Sequence, residues 1–148
     1  MSASVVLYSN HDITEEELAE VIRQAGGILT PESPARYFGG IVDGKTYVWM
    51  KIIPCYDGIF DYEGNPLVED DIVLLSQAKE LLGGEFQTCI HITLDTTPTI
   101  ITSGSQQLAV RFAHTCCQHW PCVVDNNQDR LFSCKEIEQL YKEGGEFI

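Results

Sequence analysis

The sequence predicts an α/β (α+β) domain: a mixed or antiparallel sheet with helices packed mainly on one face. Three observations carry this expectation. Between Ser105 and Trp120, Leu108, Ala109, Phe112, Ala113 and Cys116 recur at three- and four-residue steps, which places them on one helical stripe. Pro121 cannot continue that helix, and Cys122-Val123-Val124 directly after it reads as a short buried strand. Asp43-Gly44, set between two runs of β-forming residues, predicts a two-residue hairpin turn. Size sets the domain count: 148 residues, 44% hydrophobic, predict one domain whose core is large enough to fold without staples.

In chain order, residues 4–9 (SVVLYS) predict a first strand. Thr14 and Glu17 form a capping box, because the Thr14 hydroxyl can accept from the Glu17 amide while the Glu17 carboxylate reaches back. Leu18, Val21, Ile22 and Ala25 supply the buried stripe of the helix that follows, and Gly26-Gly27 end it. Residues 37–42 and 45–53 are the arms of the hairpin. In the second arm Val48, Met50 and Ile52 alternate with Tyr47, Trp49 and Lys51, so the two sets face opposite sides of the sheet. A punctuated acidic loop from Pro54 leads to a helix over 72–82 with Leu75, Ala78 and Leu82 inward, stopped by Gly83-Gly84. Residues 86–94 predict a strand with Phe86, Thr88, Ile90, Ile92 and Leu94 on one face and Gln87, Cys89, His91 and Thr93 on the other. The 105–120 helix comes next, starting near Ser103 or Ser105. Residues 130–132 can pair with 122–124, and Ser133 with Glu136 forms a second capping box for a last helix through Ile137, Leu140 and Tyr141.

The order β-α-β-β-α-β followed by α-β-β-α is compatible with a ferredoxin-like half continued by an extension on the same sheet. Sheet edges leave homodimerisation open.

Composition narrows the function classes. The formal charge is −13, from 22 acidic against 9 basic residues, which disfavours direct contact with nucleic acid or an anionic membrane and favours a basic protein partner. No run of about 18 apolar residues occurs, so no membrane span is expected. The six cysteines, Cys55, Cys89, Cys116, Cys117, Cys122 and Cys134, are scattered over apolar positions, and residues 1–9 lack the basic segment of a secretory signal. The expectation is a cytoplasmic protein with all six thiols reduced.

Candidate chemistry was sought in the thiols and imidazoles. His114, Cys116, Cys117, His119 and Cys122 are close in sequence but do not show the paired spacing of a tetrahedral zinc site, so no metal and no cofactor are expected. Cys89 or Cys55 with His91 or His11 could form a nucleophile pair, the basis of an alternative reading as a thiol- and histidine-dependent enzyme or a small-molecule-binding domain. The chain contains no G-x-G-x-x-G, P-loop, G-x-S-x-G or H-E-x-x-H motif, and position 59 breaks the calcium-loop pattern with isoleucine.

The run Trp120-Pro121-Cys122-Val123-Val124-Asp125, followed by Leu131-Phe132-Ser133 in a small acidic α/β chain, resembles the small cytosolic immunity proteins of bacterial polymorphic and contact-dependent growth inhibition toxin systems. The resemblance implies that the protein binds a cognate toxin domain, often a nuclease, and occludes its active site or substrate groove. An acidic surface with aromatic anchors suits that task, because a nuclease presents a basic groove. Phe60 and Tyr62 interleave with Asp57, Asp61 and Glu63, and Glu69, Asp70 and Asp71 follow, with no lysine or arginine between Lys51 and Lys79. That stretch is the first candidate for the partner-binding surface, and Tyr47 with Trp49 the second. Glu69, Asp70 and Asp71 also complement the dipole of the helix they open.

Overall fold

Strand β1 (Ala3–Ser9) takes both of its partners from far along the chain, and the sheet grows outward from it. The computed structural model describes residues 3–29, 37–44, 46–55, 64–96 and 100–148. After β1 come α1 (Glu15–Gln24), β2 (Ile28–Leu29), β3 (Gly39–Asp43), β4 (Thr46–Ile53), α2 (Glu69–Leu82) and β5 (Thr88–Leu94). The rest is α3 (Ser103–Cys117), β6 (Cys122–Asp125), β7 (Leu131–Ser133) and α4 (Cys134–Glu143). The strands form one seven-stranded sheet in the order β2-β3-β4-β5-β1-β6-β7, antiparallel at every pairing.

The expected class holds, with helices mainly on one face. On that face α1, α3 and α4 bury Leu18, Ile22, Phe112, Cys116 and Ile137 against Val5, Leu7, Met50, Ile92 and Val124. Alternation sends Val6, Tyr8, Cys89 and Val123 to the other face, where α2 covers them with Leu75, Ala78 and Leu82. The strand order departs from a ferredoxin-like half. There the first strand would lie beside the second hairpin strand, whereas here β5 sits between them, paired to β1 from Ala3↔Leu94 to Ser9↔Thr88 and to β4 from Val48↔Leu94 to Ile53↔Cys89. Alternation fixes which face a strand buries and leaves its neighbours open.

Local signals are realised closely. Both capping boxes form: Glu17 N donates to Thr14 Oγ1 at 3.1 Å and Glu136 N to Ser133 Oγ at 3.3 Å. Two details are corrected. The β3–β4 hairpin turns one residue later than Asp43-Gly44, because Asp43 pairs with Thr46 and Gly44, at φ 64°, opens the loop. Phe86 lies before β5 and stacks on Tyr8 at 4.4 Å, so it joins the α2 side rather than the face of Ile90 and Ile92. The chain end docks back: Phe147 packs edge-on against Phe132 at 5.2 Å, while its carbonyl accepts from Asn126 Nδ2 at 2.8 Å.

Candidate functional site

Helix α2 carries on its outer side what a core helix would not expose. Val68 at the N-cap is 61% exposed, Val73 51% and Leu81 53%, and the exposed acids Glu69, Asp70 and Asp71 of the first turn lie between Val68 and Val73 in sequence. Those acids have no side-chain cap to serve, since the N-cap is a valine, and their local role is to face the positive end of the helix dipole.

Between α2 and the β6–β7 hairpin run two adjoining cavities that share Leu74 as a wall. The deeper, about 150 Å³, is lined by Tyr8, Leu67, Asp71, Leu75, Asp125 and Asn127. The wider, about 490 Å³, opens between Gln77, Glu80 and Leu81 on α2 and Asp129, Arg130 and Leu131 on the hairpin. Together they form a groove floored by leucines and edged by carboxylates, with Arg130 at its wider end.

The hairpin loop that forms one bank is held in an unusual conformation. Asn127 and Asp129 both have left-handed backbones, φ 60° and 64°, which these residue types tolerate better than most. Asn126 enforces it, with Oδ1 accepting from Gln128 N at 2.8 Å and Arg130 N at 3.2 Å. Asn127 is tied to the start of β1 through Nδ2, which donates to the Ser4 carbonyl at 2.9 Å.

Asp125, at the end of β6, sits nearly buried at the bottom of the groove. Burial pushes its carboxyl above the ordinary carboxylate range; the Asn127 N–H, 2.8 Å from Oδ1, opposes this, and repulsion from Asp71 and Asp129 adds to it. A cation placed between Asp71 and Asp125 would relieve that repulsion. The groove is therefore suited to a lysine or arginine side chain whose aliphatic stem lies along the leucines.

The sequence-derived candidates divide into three groups. Asp57, Phe60, Asp61, Tyr62 and Glu63 lie outside the described residues. Glu69, Asp70 and Asp71 are exposed at the start of α2, and Asp71 alone among them reaches the groove lining. Tyr47 and Trp49 stand half-buried on β4, away from α2: Trp49 lies 6.1 Å from the Tyr37 ring and 5.8 Å from Tyr47, centroid to centroid. Sequence reasoning missed Asp125, Asn127, Asp129 and Leu74. The only signal for the loop was its Asp125-Asn126-Asn127 turn cluster.

The thiols and imidazoles behave differently from the expectation. Cys89 is buried, and its Sγ meets Cys55 Sγ at 2.7 Å, while the His91 Nδ1 lies 3.3 Å from Thr93 Oγ1. Hydrogen bonding to Cys89 holds the Cys55 thiol below its ordinary range, with partial burial opposing. His11 pairs with the Glu17 carboxylate at 3.1 Å and stacks on Trp120 at 5.5 Å. The expectation of six free thiols is corrected: Cys117 and Cys134 form a disulfide with Cα atoms 5.5 Å apart, and Cys55, Cys89, Cys116 and Cys122 are outside it. The two are 17 residues apart in sequence, and the β6–β7 hairpin between them folds the end of α3 onto the start of α4.

Among the described residues no helix is long and apolar enough to cross a membrane. Comparison with protein-family models, curated proteins and solved structures finds no match to this chain in any of the three.

Proposed function

We propose that this protein binds and neutralises a basic protein, a cognate toxin domain of the nuclease kind, acting as an immunity protein with the α2 groove as its contact surface. The observation that carries the reading is the groove itself: Leu67, Leu74, Leu75 and Leu81 lie between the carboxylate of Asp71 on α2 and those of Asp125 and Asp129 on the hairpin side, and the same end of α2 exposes Val68, Glu69, Asp70 and Val73. Apolar contacts with a predominantly acidic rim suit the recognition of a basic protein, and the overall charge of −13 steers such a partner towards it. A partner lysine or arginine entering the cavity would neutralise Asp71 and Asp125 together. Neutralisation of a nuclease then follows by occupation of the groove it uses for phosphate.

The test is the affinity of the purified chain for its basic partner at two salt concentrations, with Asp70→Lys/Asp71→Lys as the variant. A unit charge pair at 4 Å is worth about 1 kcal/mol in water, so each reversal at contact costs about 2 kcal/mol before screening. Affinity should fall at least about tenfold, association should slow and its salt dependence should flatten. Unchanged affinity and salt slope in a folded double variant would exclude α2 and shift the contact to Tyr47 and Trp49.

A further inference from the structure

Three cysteines from three different elements meet at the opposite end of the hairpin from the groove. Cys117 is the last residue of α3, Cys122 the first of β6 and Cys134 the first of α4, and their sulfurs all lie within 4.8 Å of one another. In sequence they look unrelated, because Cys134 enters only through the β6–β7 hairpin. The imidazoles that flank Cys117 in sequence turn elsewhere: His119 Nε2 bonds Gln24 Oε1 at 2.8 Å, and His114 stacks on Tyr141 at 4.2 Å.

We propose that the reduced chain binds one thiophilic d10 cation, Zn²⁺ or Cu⁺, through Cys117, Cys122 and Cys134. A zinc–thiolate bond is about 2.3 Å, so three sulfurs around one ion stand roughly 4 Å apart, a separation compatible with the 4.8 Å bound on this cluster. Thiolate sets select soft ions over Mg²⁺ or Ca²⁺. With Cys117 and Cys134 joined, as in the structure, two of the three donors are consumed; the metal-binding form is therefore the dithiol, and binding displaces the thiol protons to solvent.

Two features of the surroundings favour a thiolate at Cys134. Cys134 occupies the first turn of α4 just after the Ser133 cap, where the helix dipole favours an anion. Its Sγ also accepts from the Cys122 backbone N–H at 3.3 Å. Cys122 is buried while Cys117 and Cys134 are half-exposed, which gives an ion a path in from solvent. Among the described residues no fourth histidine, cysteine or carboxylate joins the group, so a four-coordinate ion would complete its shell with solvent or an exogenous ligand, whereas Cu⁺ is satisfied by three sulfurs.

The experiment uses the full chain reduced with a phosphine and freed of metal, titrated anaerobically with Zn²⁺ against a chromophoric chelator and, separately, with Cu⁺ against a Cu⁺-specific chelator. One equivalent of one of these ions is expected, and the arm that saturates at the tighter affinity names it. Cys122→Ser and Cys134→Ser should each lower affinity by more than the roughly 10–100-fold that outer-shell changes cost, while Cys55→Ser should not change it. Bound metal should also protect Cys117, Cys122 and Cys134, but not Cys55, from alkylation mapped by mass spectrometry on the unmutated protein. Failure of the reduced protein to take up either ion, or uptake with no protection of these three thiols, would overturn the proposal.

Discussion

Replacing Gly40 by alanine tests how firmly Trp49 is built into the sheet. Gly40 pairs with Trp49 across β3 and β4, and the indole lies over the glycine. An added Cβ would stand inside van der Waals contact of Trp49 Cε3, 2.6 Å from Cζ3 and 2.5 Å from the Val48 carbonyl oxygen. Carbon pairs rest at about 3.5–4.0 Å, so the indole must retreat by roughly 1.5 Å, and it has Tyr37 and Tyr47 as neighbours. Overpacking of this kind costs about 1–3 kcal/mol, and the upper half applies because the Val48 carbonyl belongs to the ladder and cannot yield. Loss of glycine's freedom in the unfolded chain returns about 0.4–1 kcal/mol, leaving a net destabilisation of about 1–2.5 kcal/mol. For a chain of this length that lowers the Tm by roughly 2–4 °C per kcal/mol. Urea denaturation followed by tryptophan emission measures it. In a Trp49→Ala background the same glycine substitution should cost less by about 1 kcal/mol, since the ring clash is gone. A Gly40→Ala protein within about 0.5 kcal/mol of the parent, or a cycle that is simply additive, would refute the packing argument and leave Trp49 a free surface ring.

Two further outcomes are expected. Because burial raises the Asp125 carboxyl, the folded chain holds that proton more tightly than the unfolded one. Its contribution to stability is therefore full below the ordinary carboxylate range and is lost as pH rises towards the raised value; Asp125→Asn should be more stable than the parent at neutral pH and flatten that part of the profile, as urea midpoints against pH will show. Ser133→Ala removes the acceptor for Glu136 N and should cost about 1 kcal/mol in the same assay, against no measurable change for an exposed serine outside a cap.

Much of the local structure was written in short-range pattern. Thr14 with Glu17 and Ser133 with Glu136 cap their helices as read, since a capping box is a contact across three residues. Leu75, Ala78 and Leu82 face inward on α2, and Cys122 to Val124 lie in a buried strand, because helical and strand periods declare which side is apolar; its pairing with β7 sits one residue further on than expected, 123–125 against 131–133. The turn slipped by one residue where Asp43 could serve either as loop or as last paired position. Phe86 left its alternation because Tyr8 offered a stacking partner before the strand began.

The sites were decided by tertiary structure. Asp71 and Asp125 line one cavity although 54 residues separate their numbers, because α2 packs against β6 and β7, and nothing local to either residue encodes that approach. Cys117 and Cys122 were visible as neighbours, but the third sulfur, Cys134, arrives only when the β6–β7 hairpin returns the chain. Every element but the short β2, the buried face of most of them and the acidic balance could be read from the chain, because these are properties of residues a few positions apart or of simple sums; β2, two residues long, is set by its pairing with β3. Strand order, the groove and the thiol cluster depend on which elements pack together, a choice made by burial summed over the whole chain.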